Sequence, residues 1–189
     1  MQKGIPQLIH ENTVVCDNLA KANLLNTYFA NQCTLPPGSD TDPLPVLGRL
    51  TRARLVEIQT TPQEVYNILR KLNVSKASGP DGISNRVLKE CAQSLCIPLC
   101  RLCNVSLQTG KFPSVWKRAN VVPIHKKGDR QSVNNYRPVS LLCTLSKVLE
   151  RIVHAQLYEY CLINNLLTDK NSGFKKGDST VNQLLSITN

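Results

Sequence analysis

The stretch Trp116 to Glu150, WKRANVVPIHKKGDRQSVNNYRPVSLLCTLSKVLE, decides how the rest of the chain is read. It opens on two cations, Lys117 and Arg118, and continues into a short apolar run, Ala119 to Ile124, interrupted by Pro123. A cationic turn follows (His125, Lys126, Lys127, Gly128, Asp129, Arg130), then a polar loop from Gln131 to Asn135. A second extended run, Tyr136 to Leu142, leads into an amphipathic helical pattern. Two short apolar runs joined by a basic loop predict a β-hairpin with a cationic tip. Such a tip has no place in a core and is expected to face solvent and meet anions.

Charge elsewhere supports that reading. The chain has 189 residues and a formal net charge of +10. Between Arg101 and Glu150 nine cations stand against two acids, Asp129 and Glu150. This excess suggests a polyanionic partner, nucleic acid or nucleotide, with salt-sensitive binding. A basic surface kept for solubility is the plainer alternative. The length suits one domain, or a domain with an extension. No apolar stretch approaches a membrane span, and the residues after Met1, QKGIPQ, lack a charged segment followed by an apolar run. The expectation is an intracellular protein without a membrane partner, nucleus and cytoplasm not being distinguished.

The eight cysteines, at 16, 33, 91, 96, 100, 103, 143 and 161, form no paired framework. Cys100 and Cys103 have the minimal spacing of a metal knuckle, but no second knuckle or histidine pair accompanies them. On a helix, Cys96, Cys100 and Cys103 fall on one stripe beside Leu95, Leu99 and Leu102. They are read as small reduced thiols packing a helix face, and no metal ligand is assigned.

Asn18 to Gln32 can form a helix with Leu24, Leu25, Tyr28 and Phe29 on one side, whereas Met1 to Val15 carries no clear signal. Thr34 to Pro45 is rich in Pro, Asp and Ser and reads as a linker. A boundary near Thr60 therefore divides an N-terminal extension, 1–60, from a core, 61–189. Thr61-Pro62-Gln63-Glu64 is a capping box with proline at the first helical position, and Val65, Ile68, Leu69 and Leu72 give the helix one apolar face. Ser78 to Gly82, SGPDG, predicts a tight turn in which Gly79 and Gly82 permit unusual backbone angles. Ser84 or Asn85 can cap a helical region reaching Thr109, with Val87, Leu88, Cys91, Leu95, Leu99, Leu102 and Cys103 inward. Pro98 should kink or split it, and Gly110 should end it. Trp116 is expected to be a packing anchor where the hairpin meets the helices. Thr144 can cap a long helix reaching Asn164 or Asn165, whose apolar face is Val148, Leu149, Ile152, Val153, Leu157 and Tyr160. A basic, glycine-containing loop, Gly173 to Thr180, then enters a last helix capped by Ser179 or Thr180. A helix N-terminus beside Lys175 and Lys176 is a reasonable phosphate site.

VVPIHKKGD, NYRPVSLL and SKVLE together closely resemble the fingers hairpin of reverse transcriptases of non-LTR (LINE-type, jockey-like) retrotransposons. KASGPDGIS, Lys76 to Ser84, resembles the preceding block of that family. SGFKKGDSTVNQLL, Ser172 to Leu185, resembles the block just before its catalytic palm strand. The blocks occur in the family's order and at its approximate spacings. With the weaker KANLLNTYF, the resemblance runs from Lys21 to the last residue.

The resemblance implies roles. Lys126, with Lys127 as alternate because the register is open by one, falls where the finger lysine meets the outgoing phosphates. Arg137 falls where the finger arginine packs over the nucleotide's base and reaches its α-phosphate. Lysine is a compact mobile cation and arginine a planar fork that also stacks, which suits both roles. Lys117, Arg118 and Arg130 around the hairpin, and Lys175 and Lys176 along the template, are the expected nucleic-acid contacts. Asp178 stands where the family usually carries a basic residue.

The implied parent reaction is RNA-templated addition of deoxynucleotides to a DNA primer with Mg²⁺. Its carboxylates lie on a strand after the last helix and in a later x-D-D hairpin, past Asn189, and neither endonuclease nor thumb is visible. Asp81, Asp129, Asp169 and Asp178 are scattered singly. No catalytic residue and no metal site are therefore assigned, and this chain alone is expected to be inactive. The expected fold is α+β, mostly helical, with one antiparallel hairpin: the fingers and start of the palm of a right-hand polymerase, with apolar surface left exposed. A non-catalytic nucleic-acid-binding remnant and a helical protein-interaction module remain the alternatives.

Overall fold

In the computed structural model, residues 4–11, 13–34, 53–55, 57–168, 173, 175 and 177–188 are described. Two short antiparallel ribbons and six helices follow in the order β1 (Leu8–His10), β2 (Thr13–Val15), α1 (Asn18–Gln32), α2 (Pro62–Arg70), α3 (Asn85–Glu90), α4 (Ala92–Thr109), β3 (Ala119–His125), β4 (Tyr136–Leu142), α5 (Thr144–Ile163) and α6 (Thr180–Thr188). The α+β, mainly helical class is as expected. The expected single hairpin is corrected: β1 and β2 make a second one in the stretch that carried no clear signal. The linker, Thr34 to Pro45, lies outside the described residues except for Thr34.

The larger core sits behind the second hairpin. Val65 and Leu69 of α2, Cys96, Leu99, Cys100 and Cys103 of α4, and Val148, Leu149 and Ile152 of α5 bury one another, with Trp116 closing one side. The cysteines thus pack a helix face, and all eight thiols are free. Burial raises the pKa of Cys103 to about 11 and also pushes up that of Cys100. Trp116 stacks edge-on against Phe112 at 5.9 Å, the anchor expected of it. Thr61 caps α2 by accepting from the Glu64 amide at 3.2 Å, but Glu64 returns to the Thr60 hydroxyl at 2.7 Å rather than to the Thr61 amide. The Asn104 side-chain amide pairs with both backbone groups of Thr60 at 2.9 Å, fixing how the chain enters α2.

The helical region after Ser84 breaks at Cys91 and not at Pro98. Pro98 sits inside α4 on an exposed face, where water can satisfy the Ser94 carbonyl that loses its helical donor. Val87, Cys91 and Leu102, expected inward, are exposed, because α3 and α4 are separate helices and do not continue one stripe. Gly110 ends α4 in the left-handed region, φ 64°. Thr144 is the first residue of α5 and no cap; its hydroxyl turns instead to Asn85 Oδ1 at 2.5 Å. The apolar face of α5 outruns its partners, leaving Leu157 45% exposed. Apolar surface is thus exposed there.

The smaller core joins segments more than a hundred residues apart. Leu8 of β1, Leu25 and Phe29 of α1, and Val133 and Tyr136 from the far end of the second hairpin are buried together. The Ile9 amide donates to the Gln131 carbonyl at 2.8 Å, so β1 lies along the hairpin loop. Lys21 is buried and donates to the Ile5 carbonyl at 2.9 Å, which closes this corner.

Candidate nucleic-acid interface

Strands β3 and β4 pair with Ala119 opposite Leu142, Pro123 opposite Pro138 and His125 opposite Tyr136. The apolar runs read from the sequence therefore form the expected hairpin. Placing two prolines on one rung costs the ladder nothing if that rung is a non-hydrogen-bonded pair, since neither has an N–H. The Lys126 amide, donating to the Asn135 carbonyl at 2.8 Å, extends the ladder and sets the alternation that way. Both edges then lack a donor at the same level, which discourages addition of a further strand.

The same alternation sorts the side chains. Val121, Pro123, His125 and Tyr136 belong to the face turned toward the N-terminal segment, which buries Tyr136 and leaves Val121 exposed. Tyr136 is buried, its hydroxyl donates to the Arg130 carbonyl at 2.7 Å, and desolvation raises its pKa. His125 packs edge-on against it at 5.5 Å. Asn120, Val122, Ile124, Arg137, Val139 and Leu141 belong to the opposite face, and by continuation so does Lys126. Ile124 is opposite Arg137 and Lys126 is opposite Asn135, so Lys126 and Arg137 are diagonal neighbours about 7–8 Å apart, within reach of two long side chains. Both are exposed, and neither makes an ion pair among the described residues.

The loop between the strands is held by its own atoms. Gly128 adopts φ 78°, and a Cβ there would also meet Asn135 Nδ2 at 2.9 Å. Asn135 Nδ2 donates to the Asp129 carbonyl at 2.9 Å, and Asp129 Oδ1 accepts from the Gln131 amide at 2.9 Å. The one acid of the tip is thus engaged by the loop and does not reach for the lysines. Lys127 is exposed beside Lys126.

Other expected contacts are placed differently. Arg130 turns toward the N-terminal segment, donating to the Gly4 carbonyl at 3.5 Å. Lys117 and Arg118 are exposed at the opposite end of the hairpin, about 23 Å from the tip for a seven-residue strand. Lys175 is half-buried ahead of α6, and Lys176 lies outside the described residues. Ser179 caps α6, accepting from the Asn182 amide at 3.2 Å, while Asp178 Oδ1 accepts from the Ser179 amide at 2.7 Å. A carboxylate thus occupies the end of α6 that the sequence offered to a phosphate.

The SGPDG turn docks at the foot of the hairpin. Gly82 has φ 68°, as a turn glycine can, but Gly79 does not have a positive φ. Gly79 is glycine for another reason: a Cβ there would lie 2.6 Å from Cys143 Cα and from the Leu142 carbonyl carbon. The turn presses against the junction of β4 and α5, and only a hydrogen fits between the two backbones.

The described acids suit no two-metal centre. Asp81 accepts from the Ile83 amide at 3.2 Å, and Asp129 and Asp178 are likewise used in their own turns, so no three metal-ligating side chains gather among the described residues. Asp169 lies outside them. No helix among the described residues is long and apolar enough to cross a membrane.

No protein-family profile matches the chain. Individual relatives do. The chain is 34% identical over 127 residues to a probable RNA-directed DNA polymerase from transposon BS of Drosophila melanogaster, covering 67% of this chain and 14% of that protein. It is 33% identical over 130 residues to the RNA-directed DNA polymerase from mobile element jockey of the same organism, covering 68% of this chain and 14% of the relative. It is 30% identical over 116 residues, 61% of this chain and 9% of the relative, to a 149 kDa protein of transposon TX1 from Xenopus laevis. Short as its share of these relatives is, the chain belongs to the RNA-directed DNA polymerases of non-LTR, jockey-like retrotransposons.

Proposed function

We propose that the β3–β4 hairpin is the fingers of a right-hand polymerase and that it grips an RNA template and the incoming deoxynucleotide. The core begins near Thr60. Lys126, with Lys127 as alternate, meets the outgoing phosphates, and Arg137 covers the base and reaches the α-phosphate. The observation that carries this reading is the pairing register, which sets Lys126 and Arg137 diagonally on one face, both exposed and in no ion pair among the described residues. Val122, Ile124 and Val139 on that face offer an aliphatic floor against which a base can lie.

Nucleotidyl transfer needs carboxylates that hold divalent metal. Mg²⁺ is the metal of the parent reaction, and the described acids do not fit it. The chain thus binds template and nucleotide, with the DNA primer engaged in the complete polymerase, and does not synthesise DNA alone.

Binding of a fluorescent deoxynucleoside triphosphate tests it. Lys126→Gln with Arg137→Gln should weaken binding at least tenfold, two charge-assisted contacts being worth about 1.5–3 kcal/mol each. Unchanged affinity would sink the finger assignment. Primer extension by this chain with Mg²⁺ should yield no product, and any product would overturn the claim of inactivity.

A further inference from the structure

A second cluster of cations lies at the foot of the hairpin. A cavity of about 440 Å³ opens between the end of α2, the loop before α3 and the first turns of α5. Lys71, Lys76, Lys147 and Arg151 line it, with Asn73 and the buried Asn85 between them, and among the described residues neither an acid nor an aromatic ring does. Lys71 ends α2, Lys76 comes from the loop carrying the SGPDG turn, and Lys147 and Arg151 are one turn apart on α5. All four are exposed, and none forms an ion pair among the described residues.

Like charges one helical turn apart repel, and here two more join them from other segments. Such a cluster is relieved by an anion in its midst. With no ring to stack a base, the cavity suits phosphate and carries no sequence preference. Leu141, which also lines it, lies on the face of β4 that carries Arg137, four residues further on and about 13 Å away at 3.3 Å per residue. A single small anion cannot reach both places. A phosphodiester strand, with a charge about every 3.4 Å along its axis in a duplex, can.

We propose that this cavity holds the phosphate backbone of a nucleic-acid strand whose path continues along the hairpin to Lys126 and Arg137. The site itself stands on its own four cations; only the continuation to the tip rests on the finger reading.

Fluorescence anisotropy with a labelled mixed-sequence 20-mer, as single-stranded RNA and as single-stranded DNA, between 50 and 200 mM salt tests it. Replacing Lys71, Lys76, Lys147 and Arg151 by Gln should weaken binding about 10- to 100-fold and flatten the salt slope by about 2–3, since each neutralised phosphate of a single strand adds about 0.7 to that slope. A variant of equal charge loss on exposed residues outside the cavity (Arg54, Arg86, Arg101 and Lys111 to Gln) should lose less than threefold. Lys147→Gln with Arg151→Gln alone, both solvent-facing, should give an intermediate loss with an unchanged circular dichroism melt. Equal loss in the cavity variant and the charge-matched variant, or no loss in the cavity variant, overturns the site. Loss of inorganic tripolyphosphate binding with strand binding intact overturns it in favour of a small anion. Equal weakening on RNA and DNA assigns the site to the shared backbone, and weakening on RNA alone assigns it to an RNA strand. If Lys126→Gln with Arg137→Gln leaves strand and nucleotide binding intact while the cavity variant does not, the finger role and the continuation to the tip fail and the cavity site stands.

Discussion

The two ends of the β3–β4 hairpin are held by different parts of the chain. At its foot, the SGPDG turn presses Gly79 onto Cys143 while Trp116 and Cys143 sink into the core of α2, α4 and α5. At its tip, Val133 and Tyr136 are covered by Leu8, Leu25 and Phe29, which precede them by more than a hundred residues. An isolated two-stranded ribbon is marginal in water, so each end needs its own support. The foot fixes where the hairpin stands, and the tip fixes where Lys126 and Arg137 are presented. A lesion at one end should therefore be read differently from a lesion at the other.

Leu8→Ala should have the largest effect of the changes at the tip. Leu8 is fully buried, and the change should cost about 3–4 kcal/mol by lost transfer energy and residual cavity. Amide hydrogen exchange should show the loss in β1, α1 and the 126–136 loop, while protection in α4 and α5 stays as it was. A uniform loss of protection would mean that the two cores unfold as one unit and that the division is false.

Gly79→Ala attacks the other end and should cost about 2–3 kcal/mol, because backbone on both sides must shift to admit the methyl group. Here the urea midpoint of the α4–α5 core itself should move. Gly82→Ala in the same turn meets no neighbour and bears only the strain of its left-handed φ, about 1 kcal/mol. Equal effects at the two glycines would refute the docking of this turn on the β4–α5 junction.

The foot of the hairpin was legible in the sequence and the support of its tip was not. VVPIHKKGD and NYRPVSLL carry their own alternation, turn residues and charge, so the strands fall where local chemistry puts them. Asn18–Gln32 was also legible as a helix, because Leu25 and Phe29 repeat at four residues. That this helix and β1 cover Tyr136 is a tertiary fact without local trace. The β1–β2 hairpin itself left one, LIH and TVV on either side of a two-residue turn, too short to stand out as a strand pattern. Gly79 was misread for a related reason. A glycine needed for close approach looks, in sequence, like one needed for its backbone angles. The cavity cations share no local trace, because Lys71, Lys76, Lys147 and Arg151 are spread over eighty residues and each alone looks like ordinary helix or loop surface.

The foot also carries a smaller, pH-dependent contribution. Cys103 lies in the foot core with its pKa raised to about 11 by burial, against 9.0 for the free thiol. The folded state thus keeps its proton where the unfolded state loses it. Its contribution is complete below pH 9 and is lost as the pH rises through 11, amounting to about 1–2 kcal/mol after allowance for solvent relaxation. Stability of the helical core measured by urea should fall between pH 9 and 11 in the wild type, and by less in Cys103→Ala. An equal slope in both would remove Cys103 as the cause.

Tyr136→Phe is the gentlest probe of the tip. The ring keeps its place against Leu8 and Val133, but the hydroxyl no longer holds the Arg130 carbonyl. A net loss of about 1 kcal/mol is expected, since the freed carbonyl can turn to water. The useful contrast lies in the loop: amides 126–135 should exchange faster while those of β1 and α1 do not, because the core beneath is untouched. If the hairpin holds the nucleotide as proposed and the hydroxyl steadies the tip in this way, deoxynucleotide affinity should fall by less than in Lys126→Gln but measurably, since a looser loop must be ordered again on binding. Unchanged loop exchange would show that the Asn135 and Asp129 hydrogen bonds fix the tip without Tyr136. The N-terminal segment would then shield the hairpin without helping to aim its cations.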